Sequence, residues 1–381
     1  MKPQKKPAAF LKGIDRIIFD MDGVITSEEN YWNAAALTVY EMLNSKKYNG
    51  DQEIESALSS EEIKQIREEV FAKDELISLL KDRGVNTNWD LAYIVLCTAL
   101  LLSSENNDVN GQWSTADCRP KITPHPPFST PPYKAIYRYL SLRELQGTEI
   151  YRFLMYKLSL LTGMDEEYFQ RHGELWEQCR QVFQEWYLGE KAYVKAYDQR
   201  PNQPGKKGLM FSEQSIIPLH ELTEVLEVLR GAGISLGIGT GRPFVEIQVP
   251  LVSWGIEKYF DRQSYITYTE VIEAEAALTD QGTQSAGSVQ SLAKPHPYVF
   301  LKAIYGKDYD DQRVLNQDYD KSEIEKTLII GDAGSDIMAA QAIDCKFAAV
   351  LTGVSGEKAR GYFEQMGADY ILESIRDLIE N

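Results

Sequence analysis

Three things are scarce in this sequence, and each shortage excludes a class of protein. Only four cysteines occur among 381 residues (Cys97, Cys118, Cys179, Cys345), with no C-x-x-C pair and no framework spacing. A disulfide-stapled secreted domain is therefore excluded, and reduced thiols in a reducing, cytoplasmic setting are expected. Long apolar runs are missing too. The oiliest stretch, LAYIVLCTALLL from Leu91 to Leu102, falls well short of the roughly 20 residues that span a bilayer, so a buried helix and no membrane association are expected. Cationic residues are outnumbered, with Lys plus Arg at 40 against Asp plus Glu at 57 and a net charge of −17. Such a surface repels a nucleic-acid backbone, so no nucleic-acid partner is expected. The N-terminal MKPQKKPAAFLKG is basic but lacks the apolar core of a signal peptide, and it reads as a short frayed tail.

What is present is ordinary globular material, 43% hydrophobic and 25% charged, in a length that suits two domains. Two textures alternate along the chain. Residues 14–26 and 214–381 carry short apolar runs (IDRIIFD, ISLGIGT, KTLIIGD, KFAAVLTG) separated by helical periods. That order predicts a doubly wound α/β domain with a parallel sheet covered on both faces. Residues 27–213 instead carry long amphipathic periods, which predict a second, mostly α-helical domain inserted into the first. In it, Ser59 and Glu62 form a capping box, followed by Ile63, Ile66 and Val70 in a helix that Gly84 closes. A second helix is predicted from about 165 to 188, with Phe169, Leu175, Trp176, Cys179, Val182, Phe183 and Trp186 as its apolar stripe. His172 and Cys179 share that stripe as packing residues. The segment from Ser103 to Pro132, containing ITPHPPFSTPP, reads as a long surface loop. A small, polar segment from Ala274 to Ser291 reads as a second loop. PNQPGKKG, from Pro201 to Gly208, reads as a hinge, with Thr26 to Asn30 as the other crossing; its Lys206 and Lys207 could meet an anionic substrate, or simply be solvated loop lysines.

Four motifs bring chemistry to the ends of the apolar runs, where open parallel sheets bind their ligands. Asp20-Met21-Asp22-Gly23-Val24 places two carboxylates two residues apart, close enough to divide into an ionised nucleophile and a proton carrier; an acidic turn would give the same letters. Thr240-Gly241-Arg242-Pro243 offers a hydroxyl and unhindered N–H groups to a phosphate oxygen, or merely an N-cap at Thr240. Lys294-Pro295-His296-Pro297 fixes an ammonium at the mouth of a helix, where it could neutralise phosphate. His296 has no paired His or Cys nearby and reads as structural or weakly substrate-adjacent, not as a metal ligand. Gly331-Asp332-Ala333-Gly334-Ser335-Asp336 adds two carboxylates, an all-oxygen set suited to Mg²⁺ rather than zinc.

Taken together and in this order, D-M-D-G-V, T-G-R-P, K-P-H-P and G-D-A-G-S-D resemble the signature of the haloacid dehalogenase (HAD) superfamily, over 14–26 and 214–381. The resemblance implies a Rossmann-like core and a Mg²⁺-dependent phosphatase that hydrolyses a small phosphorylated metabolite. Asp20 would be the nucleophile forming an aspartyl-phosphate, and Asp22 the general acid and base. Thr240, Gly241 and Lys294 would hold the phosphoryl group. Asp20, Asp22 through its main-chain carbonyl, Asp332 and Asp336 would form the metal shell. Residues 27–213 would be an enlarged cap. A phosphomutase of the β-phosphoglucomutase type would use the same core residues, and a partner-binding protein with a vestigial core is a third reading. The intact set of Asp20, Asp22, Thr240, Lys294 and Asp332 argues against decay. Ser27 and Ala333 depart from the residues common in the family.

Overall fold

The structure is a computed structural model, and it describes residues 5–48, 50–85, 87–105, 132–280 and 291–380. Most of the predicted loop between Ser103 and Pro132 lies outside the described residues, as do Cys118 and residues 281–290. Ala274 to Asp280, read as the start of a second loop, instead complete the helix Tyr268–Asp280, into which Val271, Ala274 and Leu278 bring a buried apolar stripe. The chain divides into two compact units, one of residues 1–28 with 213–381 and one of residues 29–212.

Among its described residues the first unit has eight strands: β1 (Lys6–Pro7), β2 (Arg16–Phe19), β3 (Ser235–Gly239), β4 (Tyr265–Ile266), β5 (Thr327–Gly331), β6 (Lys346–Val350), β7 (Tyr370–Leu372) and β8 (Ile379–Glu380). Six of them form one parallel sheet in the order β4-β3-β2-β5-β6-β7. Alternate residues of β2 serve opposite faces. Ile17 and Phe19 pack with Leu222, Val225 and Leu226 of the helix Leu219–Gly231. Ile18 packs with Phe300, Ala303 and Ile337 from the helices Tyr298–Tyr305 and Gly334–Gln341. Both faces are covered, which is why these strands read as unbroken apolar runs. From β2 the chain winds outward through β3 and β4, then returns to the other side of β2 at β5. The winding reverses at β2, and the carboxyl ends of β3, β2 and β5 lie side by side there.

From Lys5 on, the N-terminal segment is docked rather than frayed. Lys6 and Pro7 pair antiparallel with Glu380 and Ile379, and Leu11 is buried in the core beneath the sheet. Its few apolar residues are enough to dock it, a signal masked by the surrounding lysines.

The unit of residues 29–212 is helical among its described residues. Asn88–Glu105 contains the oily stretch, buried on every side from Leu91 to Leu101; within it the hydroxyl of polar Thr98 donates to Ile94 O at 2.8 Å. No helix among the described residues is long and apolar enough to cross a membrane. The Ser59 capping box forms as expected. The helix it starts, however, ends at Val70, and a second runs Glu75–Asp82. Ala72, Lys73 and Asp74 all take positive φ between them, a conformation no α-helix can carry through. Asp74 is braced at 3.3 Å from Arg67, and the redirected helix buries Leu76, Ile77 and Leu80. The predicted 165–188 helix is likewise divided, at His172 with φ +66°, into Glu166–Phe169 and the first part of Glu174–Tyr197, a span that itself kinks at Gly189 with φ +74°, just past the predicted end. Periodicity records which residues are buried, and a break that keeps the same residues buried leaves no mark on it.

Lys206 corrects the sequence reading. Its side chain has 0% exposure and lies 2.7 Å from Glu41 Oε2 and 2.8 Å from Glu185 Oε2. Its ammonium also sits 4.6 Å from the centroid of the Trp186 ring. Two glycines bring it there. A Cβ on Gly189 would meet Lys207 O at 2.6 Å, and one on Gly208 would meet Leu188 O at 2.4 Å, so the two backbones touch only because both positions lack side chains. Lys207, next in sequence, is exposed as expected.

Candidate active site

The register of the sheet assembles the site. Phe19 is level with Ile238 on one side and Ile330 on the other. One residue past Phe19 is Asp20, two past Ile238 is Thr240, and two past Ile330 is Asp332. Asp20 continues the ladder by donating its N–H to Ile330 O at 2.9 Å, and Thr240 donates to Ile266 O at 3.0 Å.

Lys294 ties the strand ends together. Its Nζ lies 2.9 Å from Asp20 Oδ1 and 2.6 Å from Asp336 Oδ1, with Gly239 O at 3.5 Å and the Phe300 ring beneath it. Asp336 is fully buried, and its other oxygen accepts the Ala333 N–H at 3.2 Å. Burial, partly offset by Lys294 and reinforced by Asp336 and Asp22, pushes the Asp20 carboxyl up to about 7. Burial works in the opposite direction on Lys294, but Asp20 and Asp336 outweigh it and hold the ammonium above its ordinary range. The lysine therefore stays charged.

Asp20, Asp332 and Asp336 each offer a carboxylate oxygen within 4.8 Å of the others. Asp332 is held in place by absent side chains. A Cβ on Gly353 would meet its Oδ2 at 1.9 Å, and a Cβ on Gly23 would meet the same atom at 2.3 Å. Gly23 also has positive φ, and its carbonyl accepts the Thr352 hydroxyl. This cradle between two loops directs one carboxylate into a cluster already holding two. Three carboxylates around one ammonium make an all-oxygen donor set of net negative charge, which fits a hard divalent cation such as Mg²⁺.

The remaining expected residues are placed as follows. Asp22 does not turn toward Lys294 but is gripped by Arg242, whose Nε donates to Oδ1 and Oδ2 at 2.9 and 3.1 Å. The Thr240 hydroxyl accepts the N–H of Arg242 at 3.2 Å, so it closes a local turn rather than capping a helix; the helix Phe244–Ser253 starts after Pro243 with no side-chain cap. Gly241 is exposed, with open space where a Cβ would be. His296 accepts the Tyr298 N–H at 3.2 Å, a structural role. Arg242, Glu213, Thr352 and Gly353 were not singled out in the sequence. Arg242 lies within T-G-R-P and could have been questioned as a cation two residues after a strand end. Glu213 and Gly353 carry no local signal.

Residues 291–378 match the HAD-hydrolase-like family model. Over nearly its full length the chain is similar to a crystal structure from the Northeast Structural Genomics Consortium, at 30% identity and a TM-score of 0.80, covering 96% of this chain and 97% of that one. More distant matches include a haloacid dehalogenase-like family hydrolase from Streptococcus pneumoniae, at 12% identity and a TM-score of 0.38, covering 96% of each chain. Another is a hydrolase from Pseudomonas syringae, at 17% identity and a TM-score of 0.39, covering 96% of this chain and 95% of that one. No curated protein matches the chain. The parallel sheet with its strand-end carboxylates and the matching family model lead to one assignment: the chain belongs to the haloacid dehalogenase (HAD) superfamily and is a HAD-like hydrolase.

Proposed function

We propose that the protein is a Mg²⁺-dependent phosphatase that hydrolyses a small phosphomonoester through an aspartyl-phosphate on Asp20. The observation that carries this reading is the position of Lys294, 2.9 Å from Asp20 and 2.6 Å from Asp336, beside a third carboxylate within 4.8 Å. A phosphoryl group in transfer spreads negative charge over its oxygens, and fixed cations and N–H donors are what lower its energy.

Asp20, Asp332 and the main-chain carbonyl of Asp22 would hold Mg²⁺, with Asp336 behind them anchoring Lys294. When bound, the ion supplies the positive charge that lets a phosphate dianion approach several carboxylates. The Asp20 carboxylate attacks phosphorus while the bond to the ester oxygen breaks, and Asp22 gives that oxygen its proton, releasing the alcohol. Water then attacks the aspartyl-phosphate as Asp22 takes its proton. The bond between phosphorus and Asp20 breaks, and inorganic phosphate leaves. Thr240, the N–H of Gly241 and Lys294 hold the phosphoryl oxygens through both steps. Residues 27–213 are assigned to a cap that selects the substrate. The buried thiols of Cys97, Cys179 and Cys345 support a reducing cytoplasm as the setting.

The test is phosphate release from a panel of sugar phosphates, nucleotides and phosphoglycolate, with Mg²⁺ or EDTA, for the wild type and Asp20→Asn. Release that both EDTA and the substitution abolish supports the phosphatase. Isomerised sugar phosphate without net release would replace it with a phosphomutase. No turnover of any substrate would defeat both.

A further inference from the structure

Arg242 is only 2% exposed, whereas the Asp22 side chain it grips is 25% exposed. Its Nε reaches both Asp22 oxygens at 2.9 and 3.1 Å, and Nη2 also donates to Oδ1. The arginine is fixed from behind as well. Its N–H donates to Thr240 Oγ1 at 3.2 Å and its carbonyl accepts the Tyr268 N–H at 2.9 Å. On the far side, Nη1 lies 3.5 Å from Oε1 of Glu213, whose side chain is 1% exposed. A planar guanidinium held in this way presents a rigid fork, and a carboxylate on a fork cannot rotate freely. The Thr26 hydroxyl donates to Met21 O at 3.0 Å and lies 3.4 Å from Asp22 Oδ1, so the fork of Arg242 is the stronger hold on that carboxylate.

We infer that Arg242 is a positioning residue for Asp22, with Glu213 as the counter-ion that holds the fork in place. The inference rests on the phosphatase reading above, in which Asp22 carries the proton. Arg242 sets the direction from which that proton reaches the leaving oxygen. A buried ion pair that only held the fold together would affect every substrate alike. A positioning residue affects only reactions that need the proton delivered.

The experiment compares kcat/KM for two phosphomonoesters, glycerol phosphate and p-nitrophenyl phosphate, in the full-length wild type, Arg242→Ala and Arg242→Lys with Mg²⁺ present. This ratio reports steps up to phosphoenzyme formation. An alkoxide leaves only with a proton, whereas nitrophenolate leaves without one. General-acid catalysis contributes roughly 10²–10⁴-fold, so the variants should lose about 10²-fold or more on glycerol phosphate and less than about 5-fold on p-nitrophenyl phosphate. Added guanidinium ion should partly restore Arg242→Ala on glycerol phosphate alone. Equal losses on both substrates, or no loss, would overturn the inference while leaving the phosphatase reading intact. An inactive wild type would overturn both. If Arg242→Ala does not fold, Arg242→Lys decides by the same comparison, because it keeps the charge and lacks the fork.

Discussion

Asp336 holds Lys294 at 2.6 Å from a position with no solvent exposure, so the one ammonium among these carboxylates is set by a residue that solvent does not reach. Removing the cation would leave Asp20, Asp332 and Asp336 facing one another at low dielectric. Breaking a buried ion pair by deleting one partner costs about 3–5 kcal/mol. Lys294→Met should therefore lower the stability of the Mg²⁺-free protein by about 3 kcal/mol in urea denaturation. Saturating Mg²⁺ should recover more stability for the variant than for the wild type. A variant as stable as the wild type without metal would show that the three carboxylates do not repel one another there.

The raised Asp20 carboxyl makes stability depend on pH in a defined direction. Its ordinary value is 3.8 and its folded value about 7, so between these the folded state holds a proton that the unfolded state has released. Stability of the metal-free protein should fall as pH rises from about 4 to about 7 and level off above, by at most about 4 kcal/mol at 1.36 kcal/mol per unit. Asp20→Asn should flatten this slope and stabilise the metal-free protein at pH 8. Denaturant midpoints across that range check both points.

Gly353→Ala tests the cradle. Its new methyl would fall 1.9 Å from Asp332 Oδ2, 2.7 Å from its Cγ and 2.9 Å from its Cβ, so the carboxylate must swing away and the loop must also give by a few tenths of an ångström. Mg²⁺ affinity measured by calorimetry should drop by roughly tenfold or more, the usual cost of disturbing a metal's supporting shell. Tm should change by only a few degrees. An unchanged affinity would show that Asp332 is not aimed at a metal.

Adjacent lysines in the helical unit should behave oppositely. Lys206→Met strands Glu41 and Glu185 in the interior and should cost about 3–5 kcal/mol. Lys207→Met, on an exposed side chain, should stay within about 0.5 kcal/mol. Burial pushes the Glu41 carboxyl upward. Adding Glu41→Gln to Lys206→Met should therefore recover part of the loss. Thermal or urea unfolding of the three variants provides the comparison.

The four central strands were legible as unbroken apolar runs, two of which end where carboxylates begin, Ile17-Ile18-Phe19 before Asp20 and Leu328-Ile329-Ile330 before Asp332, whereas the outer strands Tyr265–Ile266 and Tyr370–Leu372 are too short to stand out. Burial on both faces erases alternation, and that erasure is itself a signal. The site motifs were legible for the same reason. The pairing inside them was not. Lys294 and Asp336 are 42 residues apart, and Arg242 and Asp22 are 220 apart. No local pattern says which carboxylate a cation will choose. The turns at Ala72–Asp74 and His172 were hidden because the burial pattern continues across them. Lys206 was misread because a K-K pair between glycines looks solvated, whereas the close approach of Gly189 and Gly208 that buries it depends on two distant backbones. The N-terminal strand was missed because two residues are too few to show a period.

The central claim is that Asp20 accepts phosphorus. It is tested most directly by acid-quenching the enzyme during turnover of a phosphomonoester with Mg²⁺ and measuring the mass of the peptide containing Asp20. The account predicts a phosphate-mass adduct on that residue, labile to hydroxylamine and absent with EDTA or in Asp20→Asn. Turnover with no adduct at any quench time, or with an undiminished rate in Asp20→Asn, would contradict it.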